Sequence, residues 1–327
     1  MSDELMPSAS PPNSELPKTI FDPATCVRKG LCPVTQIRKQ GEPLESHSLY
    51  FEVHGSGPEK VVFIMGLNSS SSGWLPQVEH FARKPEYSVL VFDNRGVGNS
   101  GTPRGPYSTS GMADDVVVLL DYIGWKEPRQ IHVVGVSLGG MIAQELAKKI
   151  PERIVSLTLV VTKPGRRRWF ELAPLAGVKG LAKSMMISDP EQKIPIVLDM
   201  IFPKEWLDSK RDGDSQGRTN REIEYEFTRP PTFLGAISQM VAAITHYTSP
   251  DKLREISSTI PKVTIVTGDT DNLVDPSNSF LLKKHMPEAE LIVRKGAGHG
   301  ITMQYKEWFN DLLERVFKEG RERAQRQ

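Results

Sequence analysis

Cysteine is nearly absent: the 327 residues contain two, Cys26 and Cys32. That excludes a disulfide scaffold, and two thiols alone make a poor zinc site, so both read as ordinary free thiols and no metal is expected. Charge of one sign is lacking too, because 41 Lys and Arg face 40 Asp and Glu, a formal charge of +1. A dedicated nucleic-acid binder needs a basic surplus against phosphate and is thereby excluded. No apolar run approaches the roughly 18 residues of a membrane helix; the longest are Val61–Met65 and Leu157–Val161. The N-terminus, Met1-Ser-Asp-Glu-Leu-Met-Pro, carries two acids and no apolar stretch of the signal-peptide kind, so a cytoplasmic protein is expected. What stands in modest excess is glycine and proline, with 26 and 25 residues.

The chain divides by pattern. Residues 1–45 read as a flexible leader, most clearly through Ser-Ala-Ser-Pro-Pro-Asn-Ser-Glu-Leu-Pro. From there β-branched runs alternate with amphipathic stretches. The runs are Val61–Ile64, Ser88–Phe92, Ile131–Val134, Ser156–Val161, Val263–Thr267 and Leu291–Val293. Continuous apolar runs of this length suit strands buried on both faces of a parallel sheet. Met112, Val116, Leu119, Leu120 and Ile123 share one helix face with Gly124 as a stop; Leu138, Met141, Ile142, Leu146 and Ile150 do the same before Pro151. A third stripe, Trp308 to Phe317, is expected to pack on the chain's own sheet. The alternation fails over 164–247, which reads as an insert between core segments 46–163 and 248–327. Arg166-Arg167-Arg168, at the start of that insert, reads as a solvated helix end.

The most informative segment is Ile131-His-Val-Val-Gly135-Val136-Ser137-Leu138-Gly139-Gly140. It places G-x-S-x-G between a strand and a helix, the context of a nucleophile elbow. A serine hydroxyl needs a base, and seven histidines compete. His132 lies in the strand feeding the elbow and reads as structural; His47, His54, His80, His246 and His285 lack a glycine-rich setting. His299, in Gly296-Ala-Gly298-His299-Gly300 directly after the last run, falls at the same sheet edge as Ser137. A carboxylate should orient it. Three aspartates follow Val263–Thr267: Asp271 is preferred, Asp269 is the fallback, and Asp275 before Pro276 resembles a helix cap. For the oxyanion, the N–H groups of Leu138 and of Leu67, after Met65-Gly66, are the expected donors. Gly96-Val-Gly98-Asn-Ser-Gly101 fits a dinucleotide fingerprint, but Thr102-Pro103-Arg104-Gly105-Pro106 cannot open the helix that fingerprint requires.

Together, Met65-Gly66-Leu67, Phe92-Asp-Asn-Arg95-Gly96-Val-Gly98-Asn-Ser100, Gly135-Val-Ser137-Leu-Gly139-Gly, Pro151-Glu-Arg-Ile-Val-Ser-Leu, Gly268–Pro276 and Gly298-His299-Gly300 resemble the α/β-hydrolase superfamily over about residues 48–317, the insert excepted. The nearest likeness is to cap-bearing serine esterases, enol-lactonases and haloperoxidase-like members. The resemblance implies an α/β fold with a mostly parallel eight-stranded sheet flanked by helices, an inserted helical cap, and hydrolysis of an ester or lactone without a cofactor. The expected partner is a small-molecule substrate with an acyl group of small to medium size and apolar character. The alternatives are a non-catalytic binding protein of the same fold, or acyl transfer or perhydrolysis by the same triad. Met65 stands where many members have histidine, and Asn94 occupies a variable position of its motif. Ser137 excludes the epoxide hydrolase-like and dehalogenase-like relatives, whose nucleophile is aspartate.

Overall fold

The computed structural model describes residues 16–36, 45–165, 180, 183, 184, 186, 187, 189–228 and 231–326. Its strands are β1 (Cys26–Gln36), β2 (Glu45–His54), β3 (Glu59–Ile64), β4 (Tyr87–Phe92), β5 (Ile131–Val136), β6 (Ile154–Val160), β7 (Lys262–Gly268) and β8 (Glu290–Arg294). They form one eight-stranded sheet in the order β1-β2-β4-β3-β5-β6-β7-β8. β2 runs antiparallel to both β1 and β4, and every other pairing is parallel. The helices are α1 (Leu75–Phe81), α2 (Thr109–Ile123), α3 (Leu138–Lys149), α4 (Pro190–Ile201), α5 (Lys204–Leu207), α6 (Asn220–Phe227), α7 (Phe233–Thr245), α8 (Pro250–Thr259), α9 (Ser277–His285), α10 (Ile301–Gln304) and α11 (Lys306–Ala324).

The six apolar runs are β3 to β8, and the two-residue period of a strand explains how they make two cores. Val62, Ile64, Ile131 and Val133 face α2, α3 and α8. Val61, Phe63, Val134 and Val136 face α1 and the Phe309, Leu313 and Val316 stripe of α11, which packs on the sheet as expected. Gly96 to Gly101 form turns, and the next helix begins only at Thr109, where the Ser108 hydroxyl accepts the Gly111 N–H.

One boundary needs correction. Cys26–Gln36, inside the segment read as leader, is the edge strand β1, paired along its length with β2. Lys29, Gly30 and Pro33 hide it in the sequence, yet Cys32 and Val34 are buried while Leu31, Pro33 and Thr35 are exposed. Proline is tolerated there because an edge strand has one side without partners. Residues 1–15 lie outside the described residues.

Between β6 and β7 the described residues contain α4 to α8 and no strand beyond two isolated bridges, Lys210 to Thr219 and Gly165 to Tyr247. The two ends of the insert meet: Gly165 bridges Tyr247, and the Thr248 N–H donates to the Pro164 carbonyl at 2.8 Å. Arg166 to Arg168 lie outside the described residues.

Candidate active site

β5 ends at Val136 and α3 starts at Leu138, leaving Ser137 alone at the turn with φ 55° and ψ −118°. A non-glycine residue at positive φ is strained, and the surroundings over-determine it here. The Ser137 N–H donates to the Val160 carbonyl at 2.9 Å, and its own carbonyl accepts from Gly140, Met141 and the Thr162 hydroxyl. Gly139 explains how the turn lies against β3, since a Cβ there would stand 2.1 Å from the Ile64 carbonyl oxygen. Ser137 is nearly buried and opens onto a cavity of about 850 Å³.

The loops after β7 and β8 meet beside it. His299 Nδ1 lies 2.8 Å from Asp271 Oδ2, while Asp271 Oδ1 accepts the Leu273 and Val274 N–H groups at 2.8 and 2.9 Å. A carboxylate accepts, so Nδ1 carries the hydrogen and Nε2 keeps the lone pair a base requires. His299 lines the same cavity as Ser137. The competing aspartates are engaged elsewhere: Asp269 accepts the Gly296 N–H at 2.6 Å, tying the two loops together, and Asp275 accepts the Ser277 N–H at 2.8 Å.

Gly66 passes close to the serine; a Cβ on it would lie 3.1 Å from Ser137 Cβ. Leu67 lines the cavity, and Leu138, wholly buried, begins α3, where the first N–H groups have no partner within the helix. The turn is held on both sides. Asn94 donates to the Met65 carbonyl at 3.0 Å, and Gln239 of α7 accepts the Asn68 N–H at 2.9 Å while donating to the Arg95 carbonyl at 2.8 Å. Asn68 has φ 59°. Gln239 escaped the sequence reading; its only signal is a polar side chain in the apolar run Phe233-Leu-Gly-Ala-Ile-Ser-Gln-Met-Val. Arg95 forks onto Asp115 of α2, with Nε 2.6 Å from Oδ2, and its guanidinium lies over the Tyr107 ring.

The insert supplies much of the cavity wall, including Ile194, Val197, Leu198, Ile201 and Phe202. It also reaches the histidine loop, where the Gly300 N–H donates to the Ile201 carbonyl at 3.0 Å. Among the insert's larger apolar residues, Ile201 and Phe202 line the cavity and Trp206 stacks on Phe202. Met186 and Phe233 are exposed and Met240 is half-buried, whereas Trp169, Phe170, Leu172 and Met185 lie outside the described residues. On the insert's side an ion pair interrupts the apolar wall, Arg211 with Glu224. Burial pushes the Glu224 carboxyl above the usual range, against the pull of the guanidinium.

The remaining histidines are accounted for away from the serine or at the cavity rim. His132 is wholly buried between Ser156 and Glu59, and burial lowers its pKa. His246 contacts the Thr109 hydroxyl, and burial, aided by Lys148 and Lys163, pushes it down to about 3. His47 faces Asp115, His54 faces Glu52, and His80 at the rim pairs with Glu314; His285 ends α9.

Residues 60–304 match the family model described as alpha/beta hydrolase fold. Among curated proteins, "Putative carbamate hydrolase RutD" of Azorhizobium caulinodans is 28% identical over 269 residues, covering 81% of this chain and 93% of its own length. Among solved structures, a thermophilic esterase from Thermogutta terrifontis superposes with a TM-score of 0.70 at 20% identity, covering 90% of this chain and 99% of the esterase. The enol-lactonase from Burkholderia xenovorans LB400 gives 0.67 at 19% identity, over 83% and 97% of the two chains.

Proposed function

The chain belongs to the alpha/beta hydrolase fold family, and from that premise we propose that it is a serine hydrolase cleaving a carboxylic ester or lactone through an acyl-enzyme. The observation that carries the reading is the strained Ser137 turn opening onto a cavity that also holds His299, itself held by Asp271 at 2.8 Å. Ser137 Oγ attacks the substrate carbonyl carbon while His299 Nε2 takes its proton, and the carbonyl oxygen becomes an oxyanion received by the Leu67 and Leu138 N–H groups. The tetrahedral adduct collapses, the C–O bond to the leaving group breaks, and the imidazolium returns the proton to the departing alkoxide. Water then attacks the acyl-enzyme, giving its proton to His299, which passes it to Ser137 as the acid leaves. Asp271 keeps the ring oriented and offsets its positive charge.

The insert acts as a cap over this cavity, and its apolar wall favours small to medium apolar acyl groups. The relative named as a carbamate hydrolase supports carbamates as a second substrate class, since their carbonyl meets the same three groups. A fluorophosphonate probe is expected to label the wild type and not Ser137→Ala; equal labelling of both refutes the nucleophile. Release of acid from a panel of p-nitrophenyl esters, lactones and carbamates separates an enzyme from a binding protein, and added alcohol or peroxide separates hydrolysis from acyl transfer or perhydrolysis.

A further inference from the structure

Cys26 has chemical partners, and Cys32 is not among them. Both thiols lie on β1, where six residues span about 20 Å, far beyond disulfide reach. Cys26 instead pairs across the ladder with His54, and Glu52, two residues earlier on β2, lies on the same face. One donor atom from each of the three falls within 4.8 Å of the others. Glu52 Oε2 is 3.0 Å from His54 Nε2 and 3.8 Å from Cys26 Sγ.

Both ring nitrogens of His54 are engaged. The Thr25 hydroxyl donates to the Asp22 carbonyl at 2.9 Å and lies 2.9 Å from His54 Nδ1, where with its hydrogen so placed it accepts. In that tautomer His54 Nε2 turns a lone pair toward the Glu52 carboxylate oxygen 3.0 Å away. A metal ion fits between an imidazole nitrogen and a carboxylate oxygen so placed. An imidazole whose far N–H is held by an oxygen is the arrangement of a metal-ligating histidine.

We propose that Cys26, Glu52 and His54 bind a divalent transition metal, with zinc best matched to one thiolate, one imidazole and one carboxylate. On binding, the Cys26 S–H bond breaks, sulfur takes the metal, and the proton leaves to solvent. The Tyr50 hydroxyl, donating to Glu52 Oε1 at 2.7 Å, holds the carboxylate in place. A second cavity, of about 420 Å³, reaches Tyr50 and Glu52 and gives the ion a path inward. None of the three ligands lines the cavity of Ser137, so the site clasps the β1–β2 edge and takes no part in hydrolysis.

The test uses the full-length protein, stripped with a chelator and titrated with cobalt(II) as a spectroscopic stand-in for zinc. One equivalent should bind with a thiolate-to-cobalt charge-transfer band in the near ultraviolet. Cys26→Ser should abolish the band, Cys32→Ser should retain it, and His54→Gln should weaken binding about tenfold or more. Cys26 is only half-buried, so Cys26→Ser is expected to fold, and its circular dichroism checks this. If His54→Gln fails to fold, the two cysteine variants decide. Absence of the band in the wild type, or its survival in Cys26→Ser, overturns the proposal.

Discussion

Gln239 accepts the backbone N–H of Asn68 at 2.9 Å, one residue beyond the amide expected to receive the oxyanion. The acceptor comes from the insert and the donor from the core. With Asn94 on the Met65 carbonyl, the peptide carrying the Leu67 N–H is bracketed by two fixed neighbours. Gln239→Leu should lower kcat about tenfold with a smaller change in KM, and should cost about 1–3 kcal/mol of stability from the orphaned groups. Gln239→Glu keeps the acceptor for Asn68 and should recover part of kcat. A loss confined to KM in both variants would assign Gln239 to substrate binding instead.

The aspartates offer a paired comparison. Asp271→Asn removes the charge that orients His299 and should reduce kcat by about 10⁴-fold. Asp269→Asn disturbs only the bond to the Gly296 N–H and should act mainly on thermal stability. Comparable losses of kcat in the two would defeat the choice of Asp271.

Acid should weaken the fold through His246. Its pKa in the folded chain is pushed down to about 3, mainly by burial, below the ordinary 6.5. The unfolded chain therefore binds the proton first. Stability from this group is whole above pH 6.5 and declines as pH falls toward 3, at up to about 1.4 kcal/mol per pH unit. Urea midpoints measured from pH 7 to 4 should fall less steeply in His246→Gln than in the wild type; parallel curves would show that the group does not contribute.

Gly139 tests the elbow's packing. With the Ile64 carbonyl 2.1 Å from where a Cβ would stand, Gly139→Ala must push α3 away from β3. A destabilisation of about 1–3 kcal/mol is expected, with loss of fluorophosphonate labelling in whatever folds. Normal labelling would mean that the elbow tolerates the displacement.

The sequence was most legible where backbone and side chain carry the same signal. β3 to β7 show as apolar runs because helices cover both faces of them, β8 shows as a shorter run at the half-buried edge, and Ser137 shows because its turn needs small residues on either side. Three features lay outside such patterns. β1 reads as a leader because an edge strand buries one face and admits Lys29 and Pro33. Gln239 acts across 171 residues of chain, a separation that no local spacing encodes. Cys26 was weighed against Cys32, its neighbour in sequence, while the ladder places it opposite His54. Asp271 lies between these extremes: its loop was evident, but the choice over Asp269 rests on which oxygen meets His299.

The insert leaves the sheet at Gly165 and returns at Tyr247, and the two residues bridge each other. From the standpoint of β6 and β7, more than eighty intervening residues thus occupy no more room than a tight turn. The wall of the reaction chamber is in effect a cartridge seated in a fixed socket. Its outer parts can change length without disturbing the strand register behind it, so long as Gln239 and Ile201 keep their hold on the core loops.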